Sequence, residues 1–358
     1  MKSRDVQVAA KAALMLWMMI WKVAEADWWQ LGSELTIKES LELTPDEHRN
    51  KCQKIDFFVE KQRQLCEKYD LILPIVGSGA KLAKDECQHQ FQFSRWNCTT
   101  FDNKNNSFGN VVAIHSREAA YLSAISAASV AYAVARACTR GDLKDYCTCD
   151  IKIRQKRKQK WKWGGCSDDI RYGERFSREF FDVMEDPNTA LGLMNLHNYE
   201  AGRRGVRSRM QRTCKCHGVS GSCSMQICWR RLPAFRNVAE GLYHRYEGAS
   251  HVKFVERRRK KLKAISPDLK KPNRTDLVYL DDSPDYCEKN EGLNILGTKG
   301  RICHLQSQAI DGCPLLCCGR GYQTRVKDSE EKCNCRFKWC CSVECETCRS
   351  RKEEHMCN

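Results

Sequence analysis

Cysteine content constrains this chain more than any other feature of its sequence. The 358 residues include 24 cysteines, and twelve of these fall between Cys287 and Cys357. A segment this rich in cysteine is typical of a small unit that lacks an adequate hydrophobic core and is held together by cross-links. Cysteine at this density indicates either disulfides or zinc, and the redox compartment decides between them.

The N-terminus predicts that compartment. Basic residues precede an apolar run from Ala12 to Trp21, and Ala24-Glu25-Ala26 resembles a small-x-small cleavage site. This is the pattern of a secretory signal peptide over residues 1–26, with a buried or interfacial helix as the alternative. Because no later segment reaches 18 consecutive apolar residues, we expect a soluble mature protein in the extracellular space or matrix.

Secretion favours disulfides over metal. Cys333-Asn334-Cys335 and Cys345-x2-Cys348 have the spacing of zinc ligands, but the even cysteine count and the signal peptide favour cross-links, so no metal is expected. Secretion also makes three sequons candidates for N-glycans. Their asparagines are Asn97, Asn105 and Asn273.

Positive charge is concentrated in two runs. The net charge is +16, and the runs extend from Lys152 to Lys162 and from Arg257 to Lys263, with Lys270 and Lys271 beyond. In a secreted chain, such runs favour heparan sulfate proteoglycans over a nucleic-acid partner. The alternative is a solvated loop that only keeps the protein soluble.

Apolar periodicity predicts a helical N-terminal domain. The predicted helices are 40–76, Val111–Ala137, Glu174–Met184, Thr189–Arg212 and Leu232–Val255. Small residues surround the second of these, so we expect a central buried helix that ends at Gly141. We predict a disulfide-rich α+β fold with a helical domain (27–256), a basic linker (257–279) and a cysteine-rich C-terminal domain of short strands (280–358).

The segment "CKCHGVSGSCSMQIC", Cys214 to Cys228, predicts a protruding disulfide hairpin. The simplest pairing is nested, with Cys216–Cys223 inside Cys214–Cys228. Cys223 and Cys228 are five residues apart and therefore fall on opposite faces of a regular strand, so the returning arm must be irregular. Gly218 and Gly221 permit a tight turn that presents the hydroxyl of Ser220. The alternative is a plain cross-linked hairpin.

A serine hydrolase is disfavoured by the same loop. The G-x-S-x-G elbow requires glycine where Ser222 stands, and a six-residue disulfide loop is not a strand-to-helix turn. His217 is close in sequence, but catalytic groups are defined by geometry. We therefore expect no enzymatic activity.

A second apolar cluster surrounds two adjacent cysteines. Phe337, Trp339 and Val343 flank Cys340 and Cys341, which would close an eight-membered ring if they paired with each other. Exposed apolar residues on a rigid turn indicate an interaction site. The alternative is a miniature core for the cysteine-rich domain.

These motifs together resemble the Wnt family. The loop "CKCHGVSGSC" is similar to the family's acylation motif. Further similar stretches follow the family's order from about residue 50 to the end: "RWNC" (95–98), "WGGCSD" (163–168), "MNLHNYEAGR" (194–203), "SPDYC" (283–287) and "CNCRFKWCC" (333–341).

The resemblance implies a secreted, lipid-modified developmental ligand. It implies palmitoleate on Ser220, attached by the acyltransferase Porcupine, and no other cofactor besides N-glycans. The thumb loop would comprise His217, Gly218, Val219, Ser220 and Gly221, and its lipid would enter a groove of the Frizzled cysteine-rich domain. The finger that grips the same domain would comprise Phe337, Trp339, Cys340, Cys341 and Val343.

Further partners implied by the resemblance are the carrier Wntless during secretion and a low-density-lipoprotein-receptor-related coreceptor. The alternative function is a secreted Wnt-like factor that acts without the lipid through heparan sulfate, and a structural matrix protein is a further alternative.

The resemblance also implies eleven disulfides. Cys52 and Cys66 are the two cysteines that remain, and we expect them to pair, so that all 24 are used. In the first domain the resemblance implies Cys87–Cys98, Cys138–Cys147, Cys149–Cys166, Cys214–Cys228 and Cys216–Cys223. The second would contain Cys287–Cys318, Cys303–Cys313, Cys317–Cys357, Cys333–Cys348, Cys335–Cys345 and Cys340–Cys341.

Overall fold

The computed structural model describes residues 27–34, 38–39, 42–101, 107–150, 161–256 and 260–358. These residues form two compact units, one from the chain up to Gln90 with 100–283, the other from 91–99 with 284–358. The predicted signal peptide (1–26), Asn105 and most of the run Lys152–Lys162 lie outside the described residues, as do residues 257–259 of the second run.

The first unit is mainly helical. Its helices are α1 (Leu31–Glu34), α2 (Pro45–Gln53), α3 (Glu60–Lys68), α4 (Ile72–Gln90), α5 (Arg117–Arg140), α6 (Ile170–Phe181), α7 (Ala190–Ser208) and α8 (Phe235–Glu247). At the start of α2, Thr44 and Glu47 form a capping box that brackets Pro45 in the first turn, so local sequence sets this helix boundary.

The predicted central helix is confirmed as α5, which is buried along most of its length. A Cβ added at Gly173 of α6 would lie 2.1 Å from the Ala131 carbonyl oxygen, and one added at Gly202 of α7 would lie 1.9 Å from that of Ala124. The helices therefore approach at a distance that only glycine permits. α5 ends at Gly141, whose φ of +85° is left-handed.

Among the described residues, α5 is also the helix that is long and apolar enough to cross a membrane. However, 78% of its apolar window is buried inside the protein. Core helices of soluble proteins pass the same test, and the packing around α5 is that of a core helix.

The described residues of the first unit also form two three-stranded sheets. One has the order β1-β3-β2, from Lys162–Trp163, Met225–Arg231 and Gln211–His217. The other has the order β5-β4-β6, from Lys261–Ala264, Ser250–Val255 and Val278–Tyr279.

The second of these sheets corrects two predictions. The helix predicted over Leu232–Val255 ends at Glu247, and β4 follows. The predicted linker, 257–279, contains β5 and β6 and belongs to the first unit. Val252 and Val278 form a core cluster with Met194, against which Leu262 packs. The alternation of lysine with leucine and alanine in β5 is a strand pattern that the charge of the run obscured.

The second unit is held by cysteines. Its helix α9 (Cys313–Leu316) and strand β7 (Ile302–Cys303) contribute to a core cluster of Cys303, Cys313, Leu316, Cys317 and Cys357. Four of these five residues are cysteines, as predicted for a unit without an adequate core. Residues 91–99 belong here because Arg301 donates hydrogen bonds to the carbonyls of Gln92, Ser94 and Arg95.

The strands of this unit are longer than predicted. β8 (Tyr322–Lys338) has 17 residues and β9 (Ser342–Cys357) has 16, and they pair antiparallel in the order β7-β9-β8. Ion pairs cross this ribbon at several levels, which include Arg325–Glu354, Asp328–Arg351 and Glu330–Arg349. Short strands were predicted because this unit has little hydrophobic core. Cross-strand ion pairs and disulfides stabilise strands that are longer than such a core would support.

Ten predicted disulfides are confirmed. They are Cys52–Cys66, Cys138–Cys147, Cys149–Cys166, Cys214–Cys228, Cys216–Cys223, Cys287–Cys318, Cys303–Cys313, Cys317–Cys357, Cys333–Cys348 and Cys335–Cys345. Cys87 and Cys98 are also disulfide-bonded. The four cysteines with zinc-like spacing are thus cross-linked rather than free as thiolates.

The motif Met194–Arg203 is structural. Arg203 is 1% exposed and forms a bidentate pair with Asp182 at 2.9 and 3.2 Å. It also contacts Glu200 at 3.3 Å. Burial alone would raise the pKa of Glu200, but hydrogen bonds from Arg178 and Arg204 lower it to about 2. This carboxylate therefore stays ionised, and the charged cluster fixes α7 in the unit.

Removing the buried guanidinium should destabilise the first unit. Arg203→Leu leaves the Asp182 carboxylate without its main partner, so we expect a loss of about 3–5 kcal/mol in the free energy of unfolding. Urea unfolding followed by circular dichroism measures it. The control is Arg49→Leu, whose exposed pair with Asp46 spans 3.7 Å and should contribute less than about 1 kcal/mol. Equal losses in the two variants would contradict a structural role for the cluster.

Candidate functional site

The first candidate element is the hairpin of β2 and β3. Cys214 lies directly opposite Cys228 in the strand register, and both nested disulfides of the prediction are present. Cys223 lies in the irregular segment 222–224, before β3 begins at Met225. The predicted irregularity of the returning arm is therefore confirmed.

The root of this hairpin is fixed to the helical core. β1 pairs parallel with β3, and the Asp168 amide donates to the Arg230 carbonyl at 3.0 Å. The buried Asp168 carboxylate accepts hydrogen bonds from the Leu232 amide at 2.6 Å and from the Thr139 hydroxyl of α5. The "WGGCSD" stretch thus anchors the hairpin, a role that sequence reasoning missed.

The tip of the hairpin presents a serine. Ser220 is exposed and has φ +56° and ψ +30°, in the left-handed region. The side chain of its neighbour Val219 is 88% exposed. The Ser224 hydroxyl donates to the His217 carbonyl at 3.0 Å and closes the loop. The loop residues predicted from the sequence therefore lie together at one apex.

Glycine has a different role at this tip from the predicted one. The left-handed residue is Ser220, whereas Gly218 is extended, with φ −177°. A Cβ at Gly218 would lie 2.3 Å from both the carbonyl and hydroxyl oxygens of Ser222. Gly218 is therefore required for space, not for an unusual φ.

The apex is not built for hydrolysis. In the part of the chain that the structure describes, no hydrogen bond joins Ser220 to a base, and His217 is exposed. An exposed apex also lacks the water-excluded donors that stabilise an oxyanion. The arrangement offers a hydroxyl that an enzyme can modify.

The second candidate element is the tip of the β8–β9 ribbon. Residues 339–341 join the strands, and Phe337 lies opposite Val343 in the register. The exposed fractions are 69% for Phe337, 94% for Trp339 and 62% for Val343. These side chains do not form the miniature core that was the alternative. Instead they make an apolar tip open to a partner.

The predicted Cys340–Cys341 bond is absent, and both thiols are exposed. Both residues are left-handed in the connecting turn, with φ of +75° and +80°. Adjacent Cα atoms are about 3.8 Å apart, below the usual disulfide range of about 4.4–6.8 Å, so a bond between neighbours requires a special backbone geometry. The turn adopts hairpin geometry without it.

Alkylation tests the state of this turn. Iodoacetamide applied to the unreduced, folded protein should add two groups, because the structure leaves two exposed thiols. Intact mass spectrometry measures the gain, and a Cys340→Ser/Cys341→Ser variant should gain none. A wild-type protein that takes up no label would show that the adjacent cysteines are bonded, as the family resemblance implies.

Two of the three sequons lie in described residues. Asn273 is exposed, and its side-chain oxygen accepts hydrogen bonds from the amide and hydroxyl of Thr275 at 2.7 and 2.6 Å. Asn97 is half-buried and contacts the Thr99 hydroxyl. Glycosylation at both sites stays a prediction.

Sequence reasoning also missed a cluster at the hairpin root. Arg212 lies opposite Arg230 in the register of β2 and β3. The Arg212 guanidinium lies 4.0 Å from the ring centroid of Trp161, and that of Arg230 lies 5.7 Å from Trp163. The signal was the alternation in "WKW", which places the two tryptophans on one face of a strand.

Comparisons with known proteins find a family model, a sequence relative and two solved structures that match this chain. The model of the wnt family matches residues 54–358. Human Protein Wnt-2b is 45% identical over 310 residues, which are 86% of this chain and 79% of the relative. A chain of the structure of human WLS in complex with WNT8A matches 81% of this chain and 95% of its own length, with TM-score 0.59 and 36% identity. The N-terminal domain-linker of Drosophila WntD matches 60% of this chain and 98% of its own, with TM-score 0.41 and 24% identity.

Proposed function

This chain belongs to the Wnt family of secreted signalling ligands, which are not enzymes, and we propose that it acts as an acylated ligand of Frizzled receptors. In this proposal palmitoleate esterifies Ser220, and the acylated thumb binds the Frizzled cysteine-rich domain. The observation that carries the proposal is the exposed Ser220 hydroxyl at the apex of a doubly cross-linked loop.

The binding energy available to this loop favours an acyl chain over its own side chains as the main contact. The side chains at the tip are small, and Val219 is the one large apolar group among them. Burying about 14 methylenes at roughly 0.8 kcal/mol each gives an upper limit on the order of 10 kcal/mol. Ordering and desolvation offset much of this, but the two disulfides reduce the ordering cost of the loop itself.

The finger supplies a second contact in this proposal. Phe337, Trp339 and Val343 expose apolar surface next to a turn that ion pairs and disulfides hold in place. Large aromatic side chains on a rigid support are typical of residues that dominate binding energy. We propose that they contact the same Frizzled domain.

The remaining partners follow from the family and its relatives. The structure similar to this chain is described as human WLS in complex with WNT8A, and this supports Wntless as the carrier here. Porcupine would attach the lipid in the endoplasmic reticulum. A low-density-lipoprotein-receptor-related coreceptor and heparan sulfate proteoglycans of the matrix complete the proposal.

The mass of one tryptic peptide tests the lipid. After reduction, trypsin releases Cys216–Arg230, which contains Ser220, Ser222 and Ser224. We expect a monounsaturated 16-carbon adduct on Ser220 in protein from animal cells, and its loss when Porcupine is inhibited. Fragment-ion spectra assign the modified serine.

Two substitutions separate the hydroxyl from the loop conformation. Ser220→Ala and Ser220→Gly both remove the hydroxyl, whereas glycine alone favours the left-handed backbone. Both should abolish receptor activation, and Ser222→Ala should retain it. An unmodified peptide in active secreted protein would remove the acyl chain from the mechanism and leave the Trp339 tip as the main contact.

The finger should contribute independently of the lipid. Trp339→Ala removes an exposed aromatic anchor, so we expect affinity for the Frizzled cysteine-rich domain to fall about 30-fold, as for a residue worth about 2 kcal/mol. Biolayer interferometry with the acylated protein measures it. The matched control is Val326→Ala on the same ribbon, 62% exposed but far from the turn in sequence. Unchanged affinity for Trp339→Ala would exclude the finger from the interface.

A further inference from the structure

The sheet β1-β3-β2, which contains the thumb hairpin of β2 and β3, carries positive charge that no acidic side chain of the described residues neutralises. Between Gln211 and Arg231 the sequence contains no acidic residue, while β1 adds a further cation. All five cations are exposed, and none forms an ion pair within the described part of the chain. They are Lys162, Arg212, Lys215, Arg230 and Arg231. Such a surface attracts an anion from outside the protein.

Two of these cations are held as a pair. Arg212 and Arg230 face each other across β2 and β3, an arrangement of like charges that is unfavourable without an anion between them. Each guanidinium lies over a tryptophan ring of the β1 segment, with its carbon 4.0 Å from the Trp161 centroid for Arg212 and 5.7 Å from the Trp163 centroid for Arg230. These cation–π contacts restrict the two side chains and leave the N–H groups at the guanidinium edges to donate hydrogen bonds.

The other cations belong to a different face. Side chains alternate along β2 and β3, so Arg212 and Arg230 share the face of the Cys214–Cys228 disulfide. Lys215 and Arg231 lie on the opposite face. Among the described residues of this sheet, the pair is therefore separated from the other cations by the face it occupies.

The chemistry of the pair fits sulfate groups on a polysaccharide. Guanidinium forks bind tetrahedral oxyanions through two parallel hydrogen bonds, and the half-buried Trp161 and Trp163 offer ring surface beside them on which sugar rings can pack. A membrane would require exposed aliphatic side chains at this level, but Val219 and Met225, the exposed apolar residues of the hairpin, lie at its tip.

We propose that Arg212 and Arg230, held over the rings of Trp161 and Trp163, bind a sulfated polysaccharide chain at the root of the thumb hairpin. The inference rests on the secreted ligand of the proposed function but not on its lipid. Arg212 is five residues from His217, a span of roughly 17 Å at strand geometry. A chain bound at the root therefore holds the ligand while Ser220 stays free at the apex.

Binding to defined polysaccharides tests the site. The full-length secreted protein is passed over immobilised heparin and over the same chain after chemical desulfation. We expect binding to the sulfated chain only, with affinity that falls as ionic strength rises. Equal binding to the desulfated chain would overturn the proposal.

Charge-matched variants locate the site. Arg212→Gln/Arg230→Gln should weaken heparin binding about tenfold or more, since it removes charge-assisted hydrogen bonds. Lys215→Gln/Arg231→Gln removes the same charge from the opposite face and should weaken binding at most about threefold. Equal losses would mean attraction to net charge alone and would overturn the site.

A conservative double substitution controls for variants that fail to fold. Arg212→Lys/Arg230→Lys keeps the charge but removes the planar fork, so we expect an intermediate loss with an unchanged circular dichroism melt. Unchanged heparin affinity in this variant would contradict recognition by the guanidinium pair.

The same binding experiment tests whether another polyanion is the ligand. Polyglutamate, or vesicles that contain phosphatidylserine, would overturn the proposal if either bound as tightly as heparin through Arg212 and Arg230. Ser220→Ala should bind heparin like the wild type. If it does so and the wild type also fails to bind Frizzled, the proposed function fails while this inference stands.

Discussion

Disulfides stabilise the two exposed hairpins, as hydrophobic packing stabilises the helices of the first unit. A two-stranded hairpin exposed on both faces is marginal in water. The β2–β3 hairpin has one disulfide between its strands and one that closes its loop, and the β8–β9 ribbon has two between its strands near the turn. Cross-links restrict the unfolded chain more than they add contacts. The tips can therefore be ordered while their side chains stay exposed to partners.

The helical unit holds the root of the β2–β3 hairpin in a fixed position. α5 lies in the middle of the unit, and its Thr139 shares the Asp168 carboxylate with the Leu232 amide just beyond β3. A buried carboxylate with several donors is costly to disturb. The root of the hairpin is thus coupled to α5, which is buried along most of its length. Long sequence motifs such as Met194–Arg203 serve this scaffold and not the two exposed tips.

Sequence reasoning succeeded where one strong physical signal dominated. Small residues all round α5 predicted a buried helix, and cysteine density predicted a cross-linked unit. It failed where two signals competed. Lysines on the solvent face of β5 obscured the alternation of Leu262 and Ala264, so a strand was predicted as a linker. The lengths of β8 and β9 depend on cross-strand ion pairs, which no local pattern reveals.

The candidate site shows the same limit at the level of single residues. The nested cross-links and the serine at the apex could be predicted from the sequence, because residue spacing restricts both. The backbone conformation of the apex could not be predicted, since a left-handed φ is expected of glycine and two glycines are close in sequence. The structure gives that conformation to Ser220 and uses Gly218 for close packing against Ser222.

A non-glycine residue in the left-handed region is unfavourable and persists only where its surroundings over-determine it. Here the surroundings are the Cys216–Cys223 cross-link and the hydrogen bond from Ser224 to His217. Glycine at position 220 would relieve the strain but would remove the hydroxyl. The sequence keeps the serine and places the cross-link around it, which is the expected choice if the hydroxyl at the apex is what the hairpin exists to present.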